Sequence, residues 1–169
     1  MSVIRHFDAT PGERVAFLKR RRAMEGVVEE EAAAEVEEED VAAEAQLSTE
    51  RYAEMSAAEE LILTVTANGL GKLSSSHDYP VRGRGGQGVM AIDKARRGGP
   101  LVASFPVEHG DQIMLATSTG QSIRVPVDGI SFRSRSAGGV RVLDAREGEE
   151  VVSVAWIAEA AESDDRIEE

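Results

Sequence analysis

The run LILTVTANGLGKLSS, residues 61–75, decides the fold, because it returns as QIMLATSTGQSIRVPV at 112–127. Each is a pair of short β-rich stretches around a tight turn, Asn68-Gly69 in the first and Thr119-Gly120 in the second. Asn-Gly between two such stretches is the strongest short-range hairpin signal, since the favoured turn needs positive φ at its central residues. Sliding the second half over the first at an offset of 51 matches eight of 34 positions, where about two would match by chance. The identities include Gly69/Gly120, Arg82/Arg133, Arg84/Arg135, Gly88/Gly139 and Asp93/Asp144. At an offset of 50 the run LVASF from Leu101 lies over VVSVA from Val151. Each unit therefore holds about four short antiparallel strands in about 50 residues, the size of a propeller blade.

Working outward, the units span 61–108 and 109–158 in a mainly β fold. Two blades cannot close a ring, and the opening MSVIRH resembles the strands that end each unit. Residues 1–7 are accordingly read as the last strand of a missing preceding blade, and the chain as a piece of a longer protein. Thr10-Pro11-Gly12-Glu13 has the form of a capping box with proline where no amide is needed, so 8–24 is predicted to be a helix. Lys19–Arg22 reads either as a helix-end charge cluster or as a phosphate contact. Residues 25–48 form an acidic insert too poor in apolar side chains to order itself. A short helix over 49–60 leads into the first blade, and 159–169 is an acidic tail.

The formal net charge of −12 hides a split. The stretch 61–157 carries a net +2, whereas 25–60 carries −13. A mildly basic globular region is thus flanked by acidic segments. There is no cysteine, so thiolate metal sites, disulfides and cysteine nucleophiles are excluded. His6, His77 and His109 stand singly, without metal-ligand spacing. The apolar runs Leu61–Val65 and Val151–Ile157 are too short to span a bilayer, and the opening residues lack the layout of a signal peptide. A cytoplasmic, nucleoid-associated protein without a membrane partner is the expectation.

The chemistry lies in RGRGGQGV, residues 82–89. Four glycines within six positions leave the backbone bare, so that amides at Gly85, Gly86 and Gly88 can approach an anion, while Arg82 and Arg84 offer planar donor forks. Lys94, Arg96 and Arg97 follow before a second glycine turn. The matching stretch of the second unit holds Arg124, Arg133, Arg135 and Arg141. On consecutive blades these residues, with Lys72, would form a positive stripe along one rim, suited to a curved phosphate backbone. Gly83, Gly85 and Gly88 satisfy GxGxxG, but no crossover helix follows, which argues against a dinucleotide site. Neither a catalytic arrangement nor a metal or cofactor site emerges for this chain.

RGRGGQGV, LVASFPV, the run 111–142 and the ending GEEVVSVAWI resemble the last blades of the C-terminal domain of the bacterial DNA gyrase A protein. The stretches 2–24 and 50–72 are similar to that same polypeptide. Gln87 departs from the family's glycine–arginine box, where a basic residue is usual. The resemblance implies a β-pinwheel with strands shared between blades, whose basic perimeter wraps double-stranded DNA without sequence specificity. It implies partners in the rest of the gyrase A polypeptide and in the ATPase polypeptide, gyrase B, as a heterotetramer that introduces negative supercoils. ATP and Mg2+ would be bound elsewhere in that enzyme. The catalytic tyrosine would also lie elsewhere, since Tyr52 and Tyr79 sit in no matching motif. The related domain of topoisomerase IV is the alternative within this class. A propeller-type protein-interaction module, its glycine turns purely structural, is the alternative outside it.

Overall fold

The computed structural model describes residues 3–26, 47–93, 98–144 and 146–157. Two helices, α1 (Pro11–Met24) and α2 (Thr49–Ala57), precede seven strands. These are β1 (Leu61–Thr66), β2 (Leu70–Ser75), β3 (Leu101–Val107), β4 (Gln112–Thr117), β5 (Ser122–Pro126), β6 (Val140–Arg141) and β7 (Val151–Ile157). The acidic insert and tail fall almost wholly outside the described residues.

The repeat is geometric as well as sequential. β1–β2 and β4–β5 are antiparallel hairpins closed by the same bond, Gly69 N–H to Thr66 O and Gly120 N–H to Thr117 O, each 3.0 Å. Gly69 and Gly120 stand at φ 76° and 85°, which side chains other than glycine's resist. β3 returns along β1 and β7 along β4, with a register shift at Val65/Thr66 in one unit and at Ala116/Thr117 in the other. A short 3-10 turn follows each hairpin, Ser76–Asp78 and Val127–Gly129.

The units differ in their fourth strand. β6 belongs to the second unit by sequence but pairs with β2, giving the order β3-β1-β2-β6. The second sheet has three strands, β5-β4-β7. The four-stranded blade therefore holds for the first sheet only, where two units share the work. β6 comes close because a side chain at Gly139 would meet the Gly71 backbone at 3.0–3.2 Å, and one at Gly69 would meet Leu143 O at 2.7 Å.

The two sheets bury one core between them. Leu61, Leu63, Val65 and Leu73 from the first meet Ile113, Leu115, Val127 and Val151 from the second. β4 alternates between buried and half-buried residues, as a strand with one covered face should. β1 is buried at all six positions, so both its faces are covered. On β7 the chain's one tryptophan, Trp156, stays 54% exposed while its indole N–H donates to Asp111 Oδ2 at 2.7 Å.

A second, smaller core belongs to the helices. Phe17, Leu18 and Met55 pack with Phe7, Ala9, Leu47 and Tyr52. Thr10 and Glu13 make the capping box reciprocally, at 3.2 and 2.8 Å, and Pro11 opens the helix. His77, buried in the first 3-10 turn, lies edge-on to Phe7 and Phe17, with Nε2 2.8 Å from Met55 O. The helices thus seat on the end of the β1–β2 hairpin. Residues 3–10 pair with no strand among the described residues; the Arg5 amide donates to Glu60 instead.

Leu63→Ala should cost about 2–5 kcal/mol, as expected for a fully buried side chain at the meeting of two sheets. Urea unfolding checks this, and a loss below about 1 kcal/mol would mean that the sheets do not share one core.

Candidate nucleic-acid interface

In the first unit every residue from Val81 to Gly88 is exposed, Arg82 and Arg84 included. Gly85 and Gly88 take positive φ, 79° and 76°, and the Gly86 amide closes a loose turn on Gly83 O at 3.4 Å. Nothing lies within 4 Å of where a side chain at Gly83, Gly85 or Gly88 would begin. This loop is open to a ligand on its whole length, with planar cations spaced along bare backbone.

The matching stretch of the second unit is used differently. It runs along the edge of β2, where the Leu73 amide donates to Ser131 O at 3.0 Å and the Arg133 amide to Leu73 O at 2.8 Å. Lys72 is fully buried, and its Nζ donates to Ser134 O, Arg135 O and Ala137 O at 2.8, 2.5 and 2.7 Å. Three donors meet three carbonyls. Burial still pulls the Lys72 ammonium down to about 7, against the help of the Asp78 and Asp93 charges and with the opposition of Arg135 and Arg133.

Arg135 is clamped as tightly. Its amide donates to Asp78 Oδ2 at 2.7 Å, its Nε donates to Asp78 O at 2.9 Å, and its guanidinium also bonds Met90 O. Arg133 is half-buried and engaged in the fold. Lys72, Arg133 and Arg135, read from sequence as rim cations, are in this structure the joint between the two units. The physical reason is one of neighbours. The second unit has a hairpin before it to dock on, whereas among the described residues the first unit's loop meets no such hairpin.

The remaining candidates divide by place. Arg124 is exposed on β5, at the outer edge of the second sheet. Arg141 is exposed on β6 and bonded to Asp144 at 2.6 Å, a surface pair of little worth in stability. Lys94, Arg96 and Arg97 lie outside the described residues. The helix-end cluster is absorbed by the fold. Arg20 stacks on Tyr52, Arg21 pairs with Glu25 and Glu59 and covers Phe132, and Arg22 pairs with Asp78 at 3.3 Å.

Sequence reading missed Asp78, which takes contacts from Arg22 and Arg135 together. A signal was present. Lys72 and Asp78 have no charged counterparts in the second unit, where Ile123 and Gly129 stand, so the repeat breaks at the two charges that join the units. Among the described residues no group of three His, Asp or Glu side chains could hold a metal ion, and no helix is long and apolar enough to cross a membrane.

Known proteins share this geometry. The family model of the DNA gyrase C-terminal domain, a β-propeller, matches residues 60–108 and 111–155, one match to each unit. The DNA gyrase A protein of Granulibacter bethesdensis is 45% identical over 98% of the chain, which spans 18% of that protein. The DNA gyrase A protein of Rickettsia conorii is 40% identical over 70% of the chain, which spans 13% of it. Among solved structures, a DNA gyrase A C-terminal domain aligns with 59% of the chain at a TM-score of 0.55 and 25% identity, covering 34% of that domain. The C-terminal domain of a DNA topoisomerase IV aligns with 57% at 0.51 and 26% identity, covering 30% of it.

The Lys72 environment sets a pH dependence whose sign is fixed. Between about 7 and its ordinary 10.5 the unfolded chain holds a proton that the folded chain has released. Stability should therefore rise from pH 7 to 9, by at most about 1.4 kcal/mol per pH unit. Urea midpoints at pH 7, 8 and 9 measure the slope, and Lys72→Met should flatten it.

Proposed function

The chain belongs to the family of the DNA gyrase C-terminal domain, and we propose that it binds and bends double-stranded DNA as part of the wrapping surface of a type II topoisomerase. The observation that carries the reading is the open Arg82–Gly88 loop, a bare glycine backbone flanked by two exposed arginines on a repeat that the family model matches twice. Phosphates are held by charge and by planar donor forks, while the glycines let the duplex come close. Such contacts read no base edges, so binding is sequence-independent.

In this proposal Arg82, Arg84, Arg124 and Arg141 contact phosphate, with Lys94, Arg96 and Arg97 extending the track. Gly85, Gly86 and Gly88 supply close backbone approach. The chain itself performs no chemistry. Strand cleavage, ATP and Mg2+ belong to other parts of the enzyme, a heterotetramer of gyrase A and gyrase B polypeptides that introduces negative supercoils in the cytoplasm. The gyrase assignment is preferred over topoisomerase IV because the matched relatives are gyrase A proteins along up to 98% of the chain. The purely structural reading of the glycine–arginine turns gains support from the second unit, where Arg135 is spent on docking.

Affinity for a duplex of mixed sequence should fall steeply between 50 and 200 mM salt. Arg82→Ala or Arg124→Ala should each lower the slope of log K against log salt by about 1. Fluorescence anisotropy gives both numbers. A flat salt response would overturn the phosphate reading.

The acidic segment competes for the same cations in this proposal. Deleting residues 27–46 should tighten binding at low salt, and titration of the deletion variant beside the parent checks it. Equal affinities would leave that segment a linker.

A further inference from the structure

The strand β1 is covered on both faces, and its second face is polar. Leu61, Leu63 and Val65 meet the other sheet, while Thr64 points the opposite way. Thr64 lies directly across from Lys72 on β2 and diagonally from Ser74, and all three are fully buried. Tyr79, at the end of the first 3-10 turn, buries its hydroxyl beside Thr64 and Ser74. The repeat puts Leu115, Ile123, Val125 and Ile130 at the four matching positions of the second unit. All four belong to the apolar core or pack against it. The same site is therefore hydrocarbon in one unit and hydroxyl and amine in the other. Burying hydroxyls is unfavourable unless something bonds them.

Lys72 is bonded, by three carbonyls. The hydroxyls of Thr64, Ser74 and Tyr79 are not: among the described residues no atom stands in hydrogen-bonding geometry to any of them. They are nonetheless close neighbours. Burial pushes the Tyr79 phenol up, and the Thr64 and Ser74 hydroxyls beside it act against that rise. Two hydroxyls from the sheet and one from the turn thus converge without bonding one another. Each can donate one hydrogen bond and accept others. With no charge among the three, the site suits a small neutral ligand that both donates and accepts. Buried waters fit that description, making about three hydrogen bonds each to groups otherwise unpaired.

We infer that Thr64, Ser74 and Tyr79 hold one ordered water molecule, which ties the first 3-10 turn to the sheet and so roots the Arg82–Gly88 loop. Tyr79 suits that task by its place. Every residue from Pro80 to Gly88 is exposed, so the Tyr79 side chain holds the chain down just before it leaves the fold. Tyr79 is then a positioning residue for the open loop. Its consequence for DNA rests on the phosphate reading of that loop, whereas the water does not.

A high-resolution crystal structure of the chain should show a water within about 3.2 Å of all three hydroxyl oxygens. Urea unfolding gives a second reading, and its sign decides. Bridged hydroxyls stabilise the fold, so Thr64→Val, Ser74→Ala and Tyr79→Phe should each raise the unfolded-to-folded ratio about 2- to 10-fold. Hydroxyls left dry are destabilising, and the same changes would then lower the ratio. A lowered ratio for any two variants, or electron density with no water at that place, would overturn the inference. In fluorescence anisotropy with a duplex of mixed sequence, Tyr79→Phe should weaken binding at an unchanged salt slope, because no phosphate contact is lost. Parental affinity in that variant would remove the rooting role. A parent chain that binds no duplex while its water is in place would sink the DNA reading alone.

Discussion

The arrangement depends on a buried lysine head group. Lys72 projects from the second strand of one repeat and gathers three carbonyls from the glycine–arginine stretch of the next. An unpaired charge at that depth would cost several kcal/mol, and unpaired carbonyls would add to it. Each side therefore holds the other in place. Asp78 adds direction, because it takes the Arg135 amide through its carboxylate and the Arg135 Nε through its carbonyl. β6 then enters the first sheet, and the apolar core between the sheets follows from that alignment. Two repeats are joined by polar contacts at the rim and apolar ones between the sheets.

Much of this is legible in the residues alone. Gly69 and Gly120 betray the hairpins because positive φ is a local demand that a short sequence must meet locally. The offset of 51 carries through to the register, down to a shift at the equivalent residue of each first strand. The capping box of Thr10 and Glu13 is legible for the same reason. What the residues do not disclose is which neighbour each will meet. Arg84 and Arg135 are identical in type and repeat position, yet one faces solvent and the other a carboxylate. Periodicity reports the scaffold of a repeat, whereas the fate of a side chain depends on whether another unit lies against it.

The helices show the same limit from the other side. Lys19–Arg22 has the composition of a phosphate-binding cluster, but Glu25, Glu59 and Asp78 reach it from three different parts of the chain. Two of those partners are far away in sequence. Charge counts along a chain therefore overstate what is left for a ligand.

Trp156 has a use of its own. As the sole indole of the chain, half in water and tethered to Asp111, it is a built-in optical probe of the second sheet. Its emission colour and its quenching by acrylamide report whether β7 is still seated, with no dye attached. The helical layer, far from it along the chain and built on Phe17, Tyr52 and His77, is silent in that channel. A melt followed by tryptophan light alone would therefore register one half of the molecule, and comparison with far-ultraviolet dichroism would reveal whether the halves let go together.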